Sequence, residues 1–547
     1  MATYVTSLES RVRAKRLDST SRRGDLGFGL GLVSGLTLFA VAIHGYHPYA
    51  EDGGLYLAGV KRLLDPALYP YGTDFVLEPM RHSLFAPVVA AIARLSHAGL
   101  PVVLLALHLA TVWATLFAGW LMASRCWMLR TARAGAVVLL ACWLALPIAG
   151  TALLLMDPYL TARSFSTPLT VLALAGALGM TEQGDTSVRQ RGSRIWIGSI
   201  LLAGVMHPLM AAYALGATLI LICMRSSSAV VRGKGTAGFA ASALVLAALL
   251  QAFAQPESAQ YLRVALTRTY WFPAEWNWYE WVGLAAPLAI LALVARANGL
   301  KDPSRGPDRE MQARQALASA AIAVGLSALT VAMLFARSGA ATHLVARMQP
   351  LRAFQIVYLV MVLILGAALG ECVLRNVPWR WATAAVLLGG VMFGTSRAPF
   401  AHSRHLEFPW TAPRNSWMQA FLWIRDNTPK NALFALDADY VNIAGEDAQC
   451  FRAIAERSVL PDYSKDGGEA SIAPELASEW ADGQAAQKGL TGPAGLHSAI
   501  AGPQAADDRR LAALGSLGVS WVVLQSGSPT NFECPYANSA VKVCRLR

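Results

Sequence analysis

The chain has 547 residues, 55% of them hydrophobic and only 15% charged, with a formal net charge of +12 and a mean hydropathy of +0.41. Water-soluble domains carry about 25% charged residues, so the apolar surplus has to face lipid, which excludes an ordinary soluble enzyme. Lys and Arg fall mostly in short segments between apolar runs, where they orient helices in a bilayer, and no nucleic-acid partner is needed to account for them.

The first apolar run, near 27–44, follows a basic stretch containing Arg11, Arg13, Lys15, Arg16, Arg22 and Arg23. No small-residue cleavage site follows it, so residues 1–26 read as a cytoplasmic tail before an uncleaved span. A helix needs about 20 apolar residues to cross the hydrocarbon core. Further spans are predicted near 102–124, 134–153, 164–181, 236–254, 280–296, 315–336, 353–373 and 378–397. The stretch 195–224 is too long for one comfortable span and short for two. Arg189, Arg191 and Arg194 precede it and Arg225, Arg232 and Lys234 follow it, so both ends are expected in the cytoplasm, with a hairpin turning near His207-Pro208. The count is then eleven helices, with the N-terminus inside and the C-terminus outside. Under it the basic segments Arg125–Arg133, Arg296–Arg314 and Arg375–Arg380 all fall inside.

Two outer segments are large. The first, about 45–101, holds amphipathic stretches such as Gly53–Leu64, expected along the membrane surface. The second, 403–547, follows the transmembrane part (27–402) and combines a helical pattern (Trp417, Phe421, Ile424) with β-rich runs (Ala432–Leu436, Val519–Leu524). It reads as a small α/β domain in which Glu469–Gly502 is expected to be partly loop. The fold class is therefore mainly α, a polytopic helical bundle with a C-terminal soluble α/β domain. Cys126, Cys142, Cys223 and Cys372 read as buried thiols in or beside apolar runs. Cys450, Cys534 and Cys544 leave room for one disulfide and one free thiol in an oxidising compartment.

Chemistry-bearing residues gather in the outer loops. His47-Pro48-Tyr49-Ala50-Glu51-Asp52-Gly53-Gly54 sets two adjacent carboxylates before flexible glycines, a pattern for a general base or a hard divalent cation. The structural alternative makes Asp52 the cap of a helix starting at Gly53 or Gly54. In the next outer loop, Asp157 and Arg163 join an acid to an arginine, suited to a metal and a phosphate; a turn at Asp157-Pro158 and an arginine reaching lipid phosphates is the plainer reading. His343, Arg347, Gln349 and Arg352 place positive charge on the outer side, against the orientation rule, and invite an anionic partner or anchor the helix at the interface. His207 is a candidate donor to substrate or a kink residue. Tyr270, Trp271, Phe272, Trp276, Trp278, Tyr279 and Trp281 form either an interfacial belt or a surface on which sugar rings stack.

This layout resembles the GT-C superfamily of membrane glycosyltransferases, with Glu51-Asp52 at the first acidic position and Asp157 at the second. Arg163, His207-Pro208, Gln349-Pro350-Leu351-Arg352, Trp423–Pro429 and Phe451–Asp462 look similar to segments of bacterial members of that superfamily, most of them uncharacterised. The resemblance implies a polyprenyl-phosphate sugar as donor, membrane lipids around it and an acceptor of unnamed identity. It implies Asp52 as general base, with Glu51 and Asp157 beside it holding a metal or orienting the acceptor. Asp52 and Asp157 are the candidate ligands for a divalent cation, Mg²⁺ or Mn²⁺. Arg163 and Arg352 would neutralise the leaving phosphate, with Arg347, His343 and His207 binding substrate. It further implies a bacterial inner membrane, with the C-terminal domain periplasmic. A catalytically silent scaffold or lipid-glycan binder is the runner-up. A transporter comes third, because the acids cluster at one outer face.

Overall fold

Long apolar runs form helices, in which the backbone satisfies its own hydrogen bonds, as a segment crossing lipid requires. A computed structural model describes residues 24–182, 184–226, 228–297, 309–488, 490 and 502–546. The basic tail through Arg23, the loop residues Lys301 and Arg305, and 491–501 of the Ala/Gly-rich stretch lie outside the described residues. Among the described residues, six helices are long and apolar enough to cross a membrane: Gly24–His44, Leu100–Cys126, Val230–Ala252, Trp278–Arg296, Arg309–Phe335 and Leu344–Leu374. This suits a multi-pass membrane protein.

In chain order, α1 (Gly24–His44) leads to α2 (Glu51–Leu64), then to α3 (Thr73–Arg81) and α4 (Phe85–Ser96), which meet at a 96° bend. Next come α5 (Leu100–Cys126) and α6 (Arg130–Cys142). The predicted span at 134–153 is helical only to Cys142; beyond it, β1 (Pro147–Ile148) and β2 (Leu153–Leu154) pair antiparallel. Pro147 cannot donate to a helix, and Gly150 turns the chain at φ +69°.

α7 (Ala162–Met180) packs on α8 (Thr186–Met206), which is followed by α9 (Pro208–Met224). Trp196 Nε1 donates to Thr218 Oγ1 at 2.9 Å, so α8 and α9 fold back on each other about His207, as the charge pattern requires. α7 and α8 approach closely through small residues: a Cβ on Gly192 would lie 2.3 Å from the backbone nitrogen of Met180.

α2 does not lie bare on a surface, as its amphipathic pattern suggests. Leu57, Ala58 and Val60 are buried, and Lys61 donates to Glu456 at 2.6 Å, because the C-terminal region covers this segment. The antiparallel bridge Ala50↔Gln449 and the bond from Tyr69 Oη to the Arg452 carbonyl (2.9 Å) extend the same contact.

The C-terminal region holds a five-stranded mixed sheet. Its strands are β3 (Leu433–Ala435), β4 (Ser458–Val459), β5 (Trp521–Gln525), β6 (Tyr536–Ala537) and β7 (Val541–Arg545), in the order β4-β3-β5-β7-β6. The helix Ser416–Asn427 packs Trp417, Phe421 and Ile424 against it. Cys534 and Cys544 form a disulfide, and Cys450 is a buried free thiol. Cys126 and Cys142 are buried, but Cys372 is exposed and Cys223 partly so, which corrects their reading as buried thiols; Cys372 lies where its helix runs out at Leu374. Within the described part of Glu469–Gly502, helices run over Lys465–Ile472 and Ala477–Gln487.

Candidate functional site

α2 starts at Glu51 with Ala50 as its N-cap, so Asp52 is a first-turn residue and not the cap. Unpaired N–H groups and the helix dipole favour the two carboxylates there. Glu51 itself sits at φ +52°, a left-handed backbone that costs a non-glycine residue on the order of 1–3 kcal/mol. Ala152 and Gln349, which with Glu51 line one cavity described below, share that conformation. Gly53 and Gly54 serve close packing more than flexibility. A Cβ on Gly53 would come within 2.8 Å of Tyr159 Cβ, and one on Gly54 within 2.3 Å of Cys450 Cβ.

α7 is set by a capping box in which Thr161 and Ser164 exchange bonds, which fixes Arg163 in its first turn. One Arg163 nitrogen, Nη2, donates to Asp52 Oδ2 at 2.9 Å and to Asp157 Oδ2 at 3.0 Å. The Lys465 ammonium, from the helix Lys465–Ile472, lies 3.2 Å from Asp52 Oδ1 and pairs with Glu51. Three carboxylates therefore surround two cations. Asp157 (5% exposed) and Arg163 (7%) are buried, while Asp52 (29%) opens to solvent. Burial alone would raise the Asp52 carboxyl, but the charges of Lys465 and Arg163, and the bonds they donate, hold it well below the ordinary carboxylate range. Asp157 moves the other way, because burial outweighs Arg163. Lys465 is pushed up, since Glu51 and Asp52 outweigh the cost of burial.

This cluster forms one wall of a cavity of about 1220 Å³. His207, Arg268, Tyr270, Arg347 and Arg352 also line it, as do Glu78, Glu469 and Glu475. Arg352 Nε is buried without a hydrogen-bond partner. Arg268 donates to the carbonyls of Tyr463 and Ser464 at 2.8 Å, and Arg347 to that of Ile472 at 3.2 Å, so both also tie the C-terminal region down.

Glu51, Asp52, Asp157, Arg163, His207, Arg347 and Arg352 thus reach one cavity. His343 does not. Its ring is buried with Nδ1 2.7 Å from Glu257 Oε2 and Nε2 3.1 Å from the Ser338 carbonyl, which gives it a structural place. Of the aromatic cluster only Tyr270 lines the cavity; Trp271, Phe272 and Trp276 are buried in the core. Lys465, Glu469, Arg268, Glu78 and Glu475 are among the lining groups that sequence reasoning missed.

A divalent cation fits the acid cluster poorly. Both Asp52 oxygens and the facing oxygens of Asp157 and Glu51 already meet a fixed guanidinium or ammonium. Among the described residues no three His, Cys, Asp or Glu gather as a metal site. No protein-family model matches the chain, and no curated protein does.

Proposed function

We propose that the chain is a membrane glycosyltransferase of the GT-C type, moving a sugar from a polyprenyl-phosphate donor to a hydroxyl-bearing acceptor. The observation that carries this reading is Arg352, whose Nε is buried without a hydrogen-bond partner and which lines the same cavity as Asp52. A buried donor left without a partner is costly, and an anionic ligand at this half-buried arginine relieves that cost. Arginine suits phosphate through its planar fork of donors.

Asp52 accepts the acceptor's hydroxyl proton as that oxygen attacks the anomeric carbon. The bond from that carbon to the phosphate oxygen breaks, and polyprenyl phosphate leaves on the arginine side. One displacement inverts the anomeric configuration. Arg352 and Arg163 stabilise the charge that develops on the leaving group, where fixed donors contribute most. Asp157 holds Arg163 in place.

We read the bundle as eleven crossings of a bacterial inner membrane, the third made by α6 together with the paired strands β1 and β2 that follow it, with the cavity and the C-terminal region on the periplasmic side. Two features support that orientation. Asp25, which pairs with Arg130 and Arg133, starts the 21-residue α1, whose other end leads to the acidic loop about 30 Å away, one hydrocarbon thickness. The Cys534–Cys544 disulfide suits an oxidising compartment.

The depressed Asp52 carboxyl favours a second reading, a silent relative that binds a lipid-linked glycan, because a carboxylate held by two cations is a weak base. Release of polyprenyl phosphate by purified protein, across a panel of lipid-linked sugars, separates the two. Transferase action requires release that Asp52→Asn abolishes with donor binding intact. Donor binding without release in the unaltered protein supports the silent relative.

A further inference from the structure

Lys465 lies more than 400 residues from the acids it touches, on a segment whose composition suggests an ordinary water-exposed helix. Its side chain is only 15% exposed and reaches Glu51 and Asp52 together. A buried ammonium left alone would shed its proton; two carboxylates at contact distance keep the charge. The C-terminal region holds the backbone of Glu51 as well. Glu51 N–H donates to the Ala448 carbonyl at 2.8 Å, and Cys450 Sγ donates to the Glu51 carbonyl at 3.1 Å.

The lysine in turn is fixed from several directions. Its own N–H donates to Asp462 Oδ1 at 2.6 Å, and the Asp462 N–H donates to Asp466 Oδ2 at 2.8 Å. Arg268 binds the carbonyls of Tyr463 and Ser464 just before it, and Tyr261 Oη donates to the Ser471 carbonyl at 3.0 Å further along the helix.

We propose that Lys465, delivered by the C-terminal region, fills the cation position between Glu51 and Asp52, so that the site is composite and its fixed ammonium stands where a divalent ion would otherwise bind. Lys465 is a positioning residue: it holds Asp52 ionised and aimed into the cavity, and it acts through that carboxylate. The cation position is argued from the ion pairs alone. Its catalytic consequence rests on the proposed sugar transfer.

The test is Mn²⁺ binding to the purified full-length protein, read as loss of the free-ion electron paramagnetic resonance signal at sub-millimolar Mn²⁺, with no donor present. The unaltered protein should take up no Mn²⁺ at this site. Lys465→Ala should gain one Mn²⁺ per chain, and adding Asp52→Asn to it should remove that ion again. Lys465→Met, which keeps the volume and loses the charge, replaces the alanine variant if that one does not fold. Stoichiometric Mn²⁺ in the unaltered protein that Asp52→Asn abolishes overturns the proposal. So does a folded Lys465 variant that gains no ion. Because the readout needs no turnover, failure of the transferase reading leaves it standing. If transfer is observed, Lys465→Arg should retain it in the presence of a chelator, whereas Lys465→Ala should regain it only with added Mn²⁺.

Discussion

Arg163→Met isolates the contact on which the acid cluster depends. One nitrogen of Arg163 bonds two carboxylates, at 2.9 Å and 3.0 Å, and the guanidinium is 7% exposed. Removing one partner of a buried ion pair costs about 3–5 kcal/mol, chiefly because the charge left behind is uncompensated. Here Asp157 is buried whereas Asp52 keeps solvent access and Lys465, so the lower end, about 3 kcal/mol at pH 7, is expected. The sign of the pH dependence follows. Without Arg163, burial holds the Asp157 carboxyl above its unfolded value, so the native state binds the proton more tightly than the unfolded chain. The penalty is then full above the shifted value and fades as pH falls toward about 4. Denaturant unfolding in detergent, followed by tryptophan fluorescence at pH 7 and pH 4.5, measures it. Adding Asp157→Asn should recover part of the loss, since a neutral amide needs no counter-charge. A cost below about 1 kcal/mol at pH 7, or one that grows at low pH, would refute the reasoning.

Three further outcomes are expected. Gly54→Ala should destabilise the protein by about 1–3 kcal/mol, because the new methyl would sit 2.3 Å from Cys450 Cβ and 2.5 Å from the Tyr49 carbonyl. Gly468→Ala, with nothing within 4 Å, is the neutral or stabilising control in the same unfolding assay. Glu469 is buried and its carboxyl is pushed well above the usual range by that burial. Stability should therefore fall as pH rises through its native value, and Glu469→Gln should raise the unfolding temperature at pH 8 but not at pH 4. If transfer is observed, Lys465→Met should move the acid limb of kcat/KM to higher pH. Asp52 then loses one of the two cations that depress it and protonates sooner as pH falls, an effect that loss of packing alone does not produce.

The helices were readable because long apolar runs of this length favour a backbone that satisfies its own hydrogen bonds, and the hairpin at His207 was suggested by the basic residues at both its ends. Residues 134–153 misled, because hydropathy counts Pro147 and Gly150 as gaps in an apolar run, whereas the helix stops at Cys142 and these two residues keep it from resuming. Asp52, Asp157 and Arg163 stood out as charges at the ends of apolar segments. Lys465 gave no such signal: it lies in polar surroundings, and only tertiary packing brings it to Glu51. His343 was grouped with Arg352 by proximity in the chain, yet its partner is Glu257, and nothing in local spacing shows that choice. Gly53 and Gly54 read as flexible because sequence cannot say what a Cβ would meet.

The most direct test of the central claim is equilibrium binding of polyprenyl phosphate and of the uncharged polyprenol to the purified protein in detergent, by native mass spectrometry. The account expects the phosphate to bind more tightly than the alcohol, and Arg352→Met to erase that difference while polyprenol binding stays unchanged. Equal affinity for both lipids in the unaltered protein, or a preference for phosphate that survives Arg352→Met, would contradict it.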